Sequence, residues 1–333
     1  MEIIMKISGE SIDFIDVNTI VESIFQGSQH KKRVQSIARA ALGIIESSSL
    51  IIHRIGRGMA KSLNLSDKHA IKQVDRLLSN EKFNIPDSQS CLVPYIMGGR
   101  KDIKIAMDWT DFDGDEQTTL SLNLITSHGR ATPLLWKTFY KDKLKNNRNN
   151  YEDEVLVHLR NLIPNDVKVT ILADRGFCDI KLFEFIKNVL NFEYIIRVRS
   201  NIFVESKNGE IKTASEWVDA TGKVKTLRNA KITHEKYSVP TIAFIHDEKM
   251  KEAWCIACSE KDISGSGTVK WYSKRWGCEP QFRDTKDIYF GLGLSKTHIG
   301  NAERRDRLLF INAISTLILT FLGAAGEKIG LDR

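Results

Sequence analysis

Hydrophobic positions change their period along this chain, and the changes mark out its elements. Between residues 31 and 80 apolar side chains recur at helical spacing, with turn signals at Ser47–Ser49 and Asn64–Ser66. In 65-LSDKHAIKQVDRLLSN-80, Ser66 is placed to cap a helix, and Ala70, Ile71, Val74, Leu77 and Leu78 form one apolar stripe. Arg54, Arg57, Lys61, Lys68, Lys72 and Arg76 fall outside the apolar positions. A small helical bundle with a basic exterior is predicted, ending near Pro86–Pro94. The period then shortens to two: 103-IKIAMDWT-110 and 119-TLSLNLIT-126 alternate as strands, and 131-ATPLLWKTFY-140 predicts a third. A helix over 149–162, a strand at 168-KVTILAD-174, a helix over 179–190 and a strand at 194-YIIRVR-199 follow. Three strands, then helix, strand, helix, strand is the order of an RNase H-like sheet.

Residues 200–262 break into short β-like pieces (IFVE, KTLRN, TIAFIHD, EAWCIACS) separated by Gly, Asn and Lys turns, which predicts a β-rich insertion over 199–265. A helix around 272–286, a Gly-rich turn (GLGL) and an apolar helix complete the chain. The apolar stretch 308–326 carries no charge and is long enough to cross a bilayer. Asn312, Ser315, Thr316 and Thr320 interrupt it, and no second such stretch exists, so a buried core helix and no membrane partner are expected. The predicted fold is α/β: a small all-α domain over 1–95, then an RNase H-like domain over 96–333 that holds the insertion.

Composition sharpens one part of this. The 333 residues are 42% hydrophobic and 27% charged, ordinary for a globular chain, with a net charge of +7. From Ser28 to Lys82 eleven basic residues face four acidic ones, so the whole excess sits in the helical block, as on a nucleic-acid-binding face. Five scattered cysteines point to reduced thiols in a cytoplasm. Cys255 and Cys258 form a C-x-x-C on a predicted strand, where the thiols face opposite sides and no second pair completes a zinc site. Lys6, Glu10 and Asp13 interrupt any apolar leader. The absence of G-x-x-x-x-G-K-[ST] argues against a nucleotide-driven machine.

The candidate chemistry is acidic. Asp108 and Asp174 are predicted at the ends of the first and fourth strands, from which carboxylates project at one sheet edge. Glu279 adds a third carboxylate from a later helix. Three such groups suit two Mg²⁺ ions, with Mn²⁺ as a substitute, for phosphodiester chemistry. Asp111, Asp113 and Asp115 read instead as a polar turn, since the Gly of DFDGDE is misplaced for a calcium loop. In 272-YSKRWGCEPQFRDTK-286, a continuous helix would gather Tyr272, Arg275, Glu279 and Lys286 within an arc of roughly 60°.

These residues resemble the bacterial DDE transposases of the insertion sequence 4 group. That family's signature helix carries Tyr, two residues, Arg, three residues, Glu, six residues, Lys, which Tyr272, Arg275, Glu279 and Lys286 reproduce. MDWTD around Asp108 and ADRGF around Asp174 resemble its two catalytic strands, KHAIKQVDRLLSN its DNA-binding segment, and FRDTKDIYFGLGL the stretch after the catalytic Glu. The likeness is greatest to the Tn-ten type of cut-and-paste enzyme. It implies that Asp108, Asp174 and Glu279 form a metal-binding triad and that Tyr272, Arg275 and Lys286 hold phosphates. Arg283, on the same helical face, joins that group on position alone. Nicking, a 3′-hydroxyl attack that forms a hairpin, and opening of the hairpin by water are implied at the transposon ends. Trp276 and Trp254 match aromatic positions that hold a turned-out base, and Arg199 is a further candidate for flanking phosphates. Implied partners are the terminal inverted repeats and target DNA, bound by a homodimer.

Two departures qualify the likeness. Gly277 and Pro280 flank Glu279, so either the helix kinks there or a new helix begins with Glu279 as its cap and Pro280 in its first turn. Relatives of this type also continue beyond the point where this chain stops, at Arg333, with helices that pair subunits, so a shortened copy is expected. The alternatives are a catalytically impaired copy that only binds terminal repeats, and a different RNase H-like nuclease such as a resolvase.

Overall fold

The computed structural model describes residues 13–127, 129–328 and 330; Lys6, Glu10 and Arg333 lie outside them. Five helices come first: α1 (Phe14–Phe25), α2 (Lys31–Ser47), α3 (Ile52–Leu63), α4 (Asp67–Leu78) and α5 (Ile85–Met97). Ser66 caps α4 by accepting from the His69 N–H at 3.4 Å. Ala70, Val74, Leu77 and Leu78 are buried, while Arg54, Arg57, Lys61, Lys68, Lys72 and Arg76 are exposed. Glycine lets α2, α3 and α4 approach closely: a Cβ on Gly58 would lie 2.6 Å from the Gly43 carbonyl, and one on Gly56 would meet Ile71. The stretch expected to end the bundle is itself helical. Pro86 lies in the first turn of α5, where proline is tolerated, and the helix runs to Met97 before Gly98 turns left-handed at φ 58°.

Ten strands make one sheet: β1 (Asp102–Phe112), β2 (Gln117–Leu124), β3 (Thr132–Tyr140), β4 (Lys168–Ala173), β5 (Glu193–Val198), β6 (Phe203–Glu205), β7 (Ile211–Thr213), β8 (Lys225–Ile232), β9 (Tyr237–Ile245) and β10 (Trp254–Cys258). Their order is β3-β2-β1-β4-β5-β10-β9-β8-β6-β7. β1 to β3 form an antiparallel meander, while β4 lies parallel to β1 and β5 parallel to β4. This is the RNase H-like core. Helix α6 (Arg148–Leu162) makes the crossover into β4, and α7 (Ile180–Glu184) continues as a π-helical turn to Val189 before β5. The β-rich segment does not stand apart: β10 pairs antiparallel with β5, so the five added strands extend the same sheet.

Helices α8 (Gly265–Ser273) and α9 (Cys278–Lys286) follow, and α10 (Ala302–Lys328) ends the described chain. Half of the apolar stretch in α10 is buried, as a core helix requires, although among the described residues it is the one helix long and apolar enough to cross a membrane. Phe310 of α10 meets Phe25, Phe83 and Trp136 with ring centroids 6.1, 5.5 and 6.3 Å away. The N-terminal helices and the sheet therefore share one core through α10. Cys255 and Cys258 pack into different clusters on opposite faces of β10, and burial pushes both thiols up to about 12.

Candidate active site between β1, β4 and α9

Strand register brings two carboxylates together. The last residues of β1 and β4 to pair with one another are Met107 and Ala173, so Asp108 and Asp174 leave that ladder at the same level. Asp108 is not at the end of its strand, as the alternation suggested. The antiparallel partner β2 carries β1 on to Phe112 after β4 has stopped, and Asp108 lies opposite Ser121. Asp174 caps a 3-10 turn, Arg175–Phe177, by accepting from the Gly176 N–H at 2.7 Å. A Cβ on Gly176 would crowd the Asp174 Oδ1 at 2.9 Å, which gives the ADRGF motif a local reason for its glycine.

Asp108 is held by two donors and is largely buried. Its Oδ1 accepts from the Trp109 N–H at 2.9 Å and its Oδ2 from Arg275 Nη1 at 3.2 Å. Burial raises its pKa from 3.8 to about 6; Arg275 and the Trp109 N–H oppose the rise, while the charges of Asp174 and Glu279 add to it. All three carboxylates therefore act within one electrostatic neighbourhood. Glu279 itself is exposed at the start of α9.

The run from Tyr272 to Lys286 is not one regular helix. α8 ends at Ser273, a 3-10 turn covers Lys274–Gly277, and α9 restarts at Cys278 with Glu279 and Pro280 in its first turn. Of the two expectations the second holds, with Gly277 rather than Glu279 at the cap position. Proline is tolerated there because its missing N–H would have had no acceptor within the helix. Gly277 has a separate reason. Its carbonyl accepts from the Ala131 N–H at 3.0 Å, and a Cβ would lie 3.2 Å from the Gly129 carbonyl oxygen.

The 3-10 turn invalidates a single helical wheel, yet both flanking cations reach β1. Arg275 is buried against Asp108. Lys286 donates to Thr110 Oγ1 at 3.2 Å and to the Asp111 carbonyl at 2.5 Å, and burial lowers its pKa. Tyr272 is buried: Trp254 packs edge-on against it at 5.0 Å, and the Arg275 guanidinium lies 5.7 Å from its ring centroid. Trp276 is 48% exposed beside a surface hollow of about 310 Å³ lined by Thr126, Arg130, Ser273 and Lys274. Arg199 and Arg283 are both exposed. Among the described residues no hydrogen bond or ion pair links either of them to Asp108, Asp174 or Glu279.

Carboxylate oxygens are the donors that hard divalent cations take, and the neighbouring negative charges that raise the Asp108 pKa are what such a cation relieves. The donor set fits a divalent metal. The side chains are not yet gathered around one: among the described residues no three His, Cys, Asp or Glu side chains form a group that could hold an ion.

Sequence reasoning missed the supports of this site. Glu152 on α6 is buried and accepts from Trp109 Nε1 at 2.8 Å and from Arg148 Nε at 3.2 Å, steadying the residue next to Asp108. Asp115, read as part of a polar turn, pairs at 2.5 Å with Arg305, which is fully buried. The available signal was the charged cluster AERRDR opening an otherwise apolar helix.

No curated protein matches the chain. A family model described as "Transposase DDE domain" matches residues 100–317, from just before β1 to the middle of α10. Proteins of this family act on DNA as nucleases and strand transferases and use divalent metal ions. That span is well over half of the 333 residues, and the chain belongs to the DDE transposases.

Proposed function

We propose that this transposase carries out cut-and-paste transposition of an insertion sequence, in the manner of the insertion sequence 4 group and its Tn-ten type. The observation that carries the reading is the level exit of Asp108 and Asp174 from adjacent parallel strands, with Arg275 reaching Asp108 from the run that bears Glu279. Asp108, Asp174 and Glu279 would hold Mg²⁺, probed equally well with Mn²⁺, as a pair of ions. When bound, such ions activate an attacking hydroxyl and stabilise the leaving oxygen. The exposed Glu279 at a helix start is the member free to turn toward the other two.

The remaining residues position DNA. Arg275 keeps a buried Nε without a hydrogen-bond partner, a donor that a phosphate oxygen would satisfy once the guanidinium turns outward. Tyr272 and Trp254 pack behind Arg275 and fix its orientation. Lys286 holds a positive charge along β1 beyond Asp108, and Arg283 and Arg199 stand exposed for flanking phosphates. Trp276 and the hollow beside it suit a base turned out of the stack during hairpin formation. The basic exterior of α2 to α4, as the DNA-binding domain, recognises the terminal inverted repeats, and two copies act together on DNA in the cytoplasm.

The test is cleavage of a duplex carrying the element's own terminal repeat in Mg²⁺ or Mn²⁺. Nicked and hairpin products are expected, and Asp108→Ala, Asp174→Ala and Glu279→Ala should each abolish them while leaving binding intact. Binding without any nick would replace this reading with that of an impaired copy that only occupies the repeats.

A further inference from the structure

Just past Lys286 the chain exposes two aromatic rings for which neither the fold nor the site described above has a use. Tyr289 and Phe290 are 87% and 80% exposed, more than any other large hydrophobic side chain among the described residues. Single exposed hydrophobics are ordinary. Two adjacent ones on a braced turn are not. Asp287 Oδ1 accepts from the Tyr289 N–H at 2.7 Å and from the Phe290 N–H at 2.8 Å. The Leu292 N–H returns to the Asp284 carbonyl at 2.7 Å, and the Gly293 N–H to the Asp287 carbonyl at 2.8 Å. Gly291 presses so closely on the end of α9 that a Cβ would lie 2.5 Å from the Arg283 carbonyl oxygen. A second anchor ties the turn to the segment between α2 and α3, where the Leu50 N–H donates to the Leu292 carbonyl at 2.7 Å.

The surroundings favour a polyanion. Arg283 precedes the turn and Lys296 follows it, both exposed. The two acids in the turn are already engaged, Asp287 by the backbone N–H groups and Asp284 by Arg130. His53 and Arg54 are exposed at the start of α3, a few residues from the Leu50 anchor.

We propose that Tyr289 and Phe290 form an aromatic wedge that enters duplex DNA beside the cleavage site and opens a base step there. The wedge rests on the transposition reading above. Apolar side chains that enter a duplex unstack a step and bend the helix axis, and aromatic rings replace part of the lost stacking. The span from Glu279 to Lys286 is about 10 Å at the α-helical rise, and the turn adds a few ångströms. At 3.4 Å per base pair, the opened step lies roughly three to five base pairs from the scissile phosphate.

The test uses the full-length protein and terminal-repeat duplexes carrying 2-aminopurine roughly three to five positions to either side of the cleavage site. Ca²⁺ replaces Mg²⁺ so that binding proceeds without cleavage. Wild-type protein should raise the fluorescence severalfold at one step. The Y289A/F290A double variant should bind about 10- to 100-fold more weakly, the cost of lost stacking, and show no rise even at saturation. Y289A/F290W, which returns one ring to the turn, should restore the rise. Because both rings are exposed, the double variant should keep the wild-type melting temperature, which separates lost stacking from misfolding.

A rise that persists in the double variant overturns the wedge, as does cleavage by wild type with no rise at any position. So does a double variant that retains the rise but sediments as a monomer on DNA, which would assign the rings to a subunit contact. A wild-type protein that neither binds nor nicks repeat DNA removes the transposition reading and the wedge together, whereas cleavage without unstacking removes the wedge alone.

Discussion

Asp306→Asn should make the protein more stable, by much more at alkaline pH than in mild acid. Asp306 is buried where α10 crosses β3, with its Oδ1 paired to the Thr138 hydroxyl at 2.6 Å and its Oδ2 accepting from the Thr138 N–H at 3.2 Å. The Thr138 hydroxyl also pairs with that of Thr119 at 2.8 Å. Burial pushes the Asp306 carboxyl from 3.8 up to about 7, against the pull of the Thr138 hydrogen bonds and of Lys137, with Glu303 adding to the rise. The unfolded chain gives up this proton near 3.8 and the folded chain near 7, so folding is favoured by the proton in between. Stability therefore falls as pH rises through that window, and the loss is complete above it. At about 1.4 kcal/mol per unit over roughly three units, ionisation costs the fold on the order of 4 kcal/mol. An asparagine resembles the protonated acid: its carbonyl accepts the Thr138 N–H, its amide donates to the Thr138 hydroxyl, and no charge forms. Urea unfolding of both proteins at about pH 5 and about pH 8 isolates the effect, because every other titrating group cancels in the difference. The variant should be ahead by about 1–2 kcal/mol at the lower pH, where the unfolded chain has already given up the proton, and by about 4 kcal/mol at the higher. A difference that does not change with pH, or one that favours wild type more as pH rises, would refute the assignment.

Three further outcomes follow from the same geometry. Arg275 pulls the Asp108 carboxyl down against burial, so Arg275→Met should raise its pKa beyond the present value of about 6. Divalent cations bind the ionised form, so Mn²⁺ affinity measured by calorimetry should fall as pH drops through about 6 in wild type, and this limb should move to higher pH in the variant. Arg305→Met leaves the half-buried Asp115 carboxylate without its guanidinium partner and removes the hydrogen bond to Gln117 Oε1 at 2.7 Å, which should cost about 2–4 kcal/mol by urea midpoint. Gly291→Ala forces a Cβ against the carbonyls that end α9 and should cost about 1–3 kcal/mol, with faster hydrogen exchange at the Leu50 amide.

How much of this was legible in the sequence depended on the range of the interaction. Periodicity located β1 to β5 and the helices between them because alternation and helical stripes are local. It could not show that β10 pairs with β5, so that the added strands of the β-rich segment extend the same sheet. Nor could it show that β2 outlasts β4 beside β1, which is why Asp108 read as a strand end. Buried charges escaped for a similar reason: Glu152, Arg305 and Asp306 occupy helix positions that look solvated until a partner from another element arrives.

Gly277 and Pro280 show the converse case, in which a local rule raised a doubt that a distant contact resolves. As part of one long helix both residues are faults, and either would turn Glu279 away from the aspartates. Gly277 is instead the point where the run is hydrogen-bonded to the Ala131 N–H, and a Cβ there would sit tightly at 3.2 Å from the Gly129 carbonyl oxygen. The 3-10 turn that ends there runs on into α9 in helical backbone, the Cys278 N–H donating to the Arg275 carbonyl, with Glu279 and Pro280 in the first turn of α9. A carboxylate is favoured at a helix start by the macrodipole, by about 0.3–1 kcal/mol when exposed. The 3-10 turn therefore lies between Arg275, buried on Asp108, and Glu279, exposed in the first turn of α9. A regular α-helix carrying the same residues would place the two on one face.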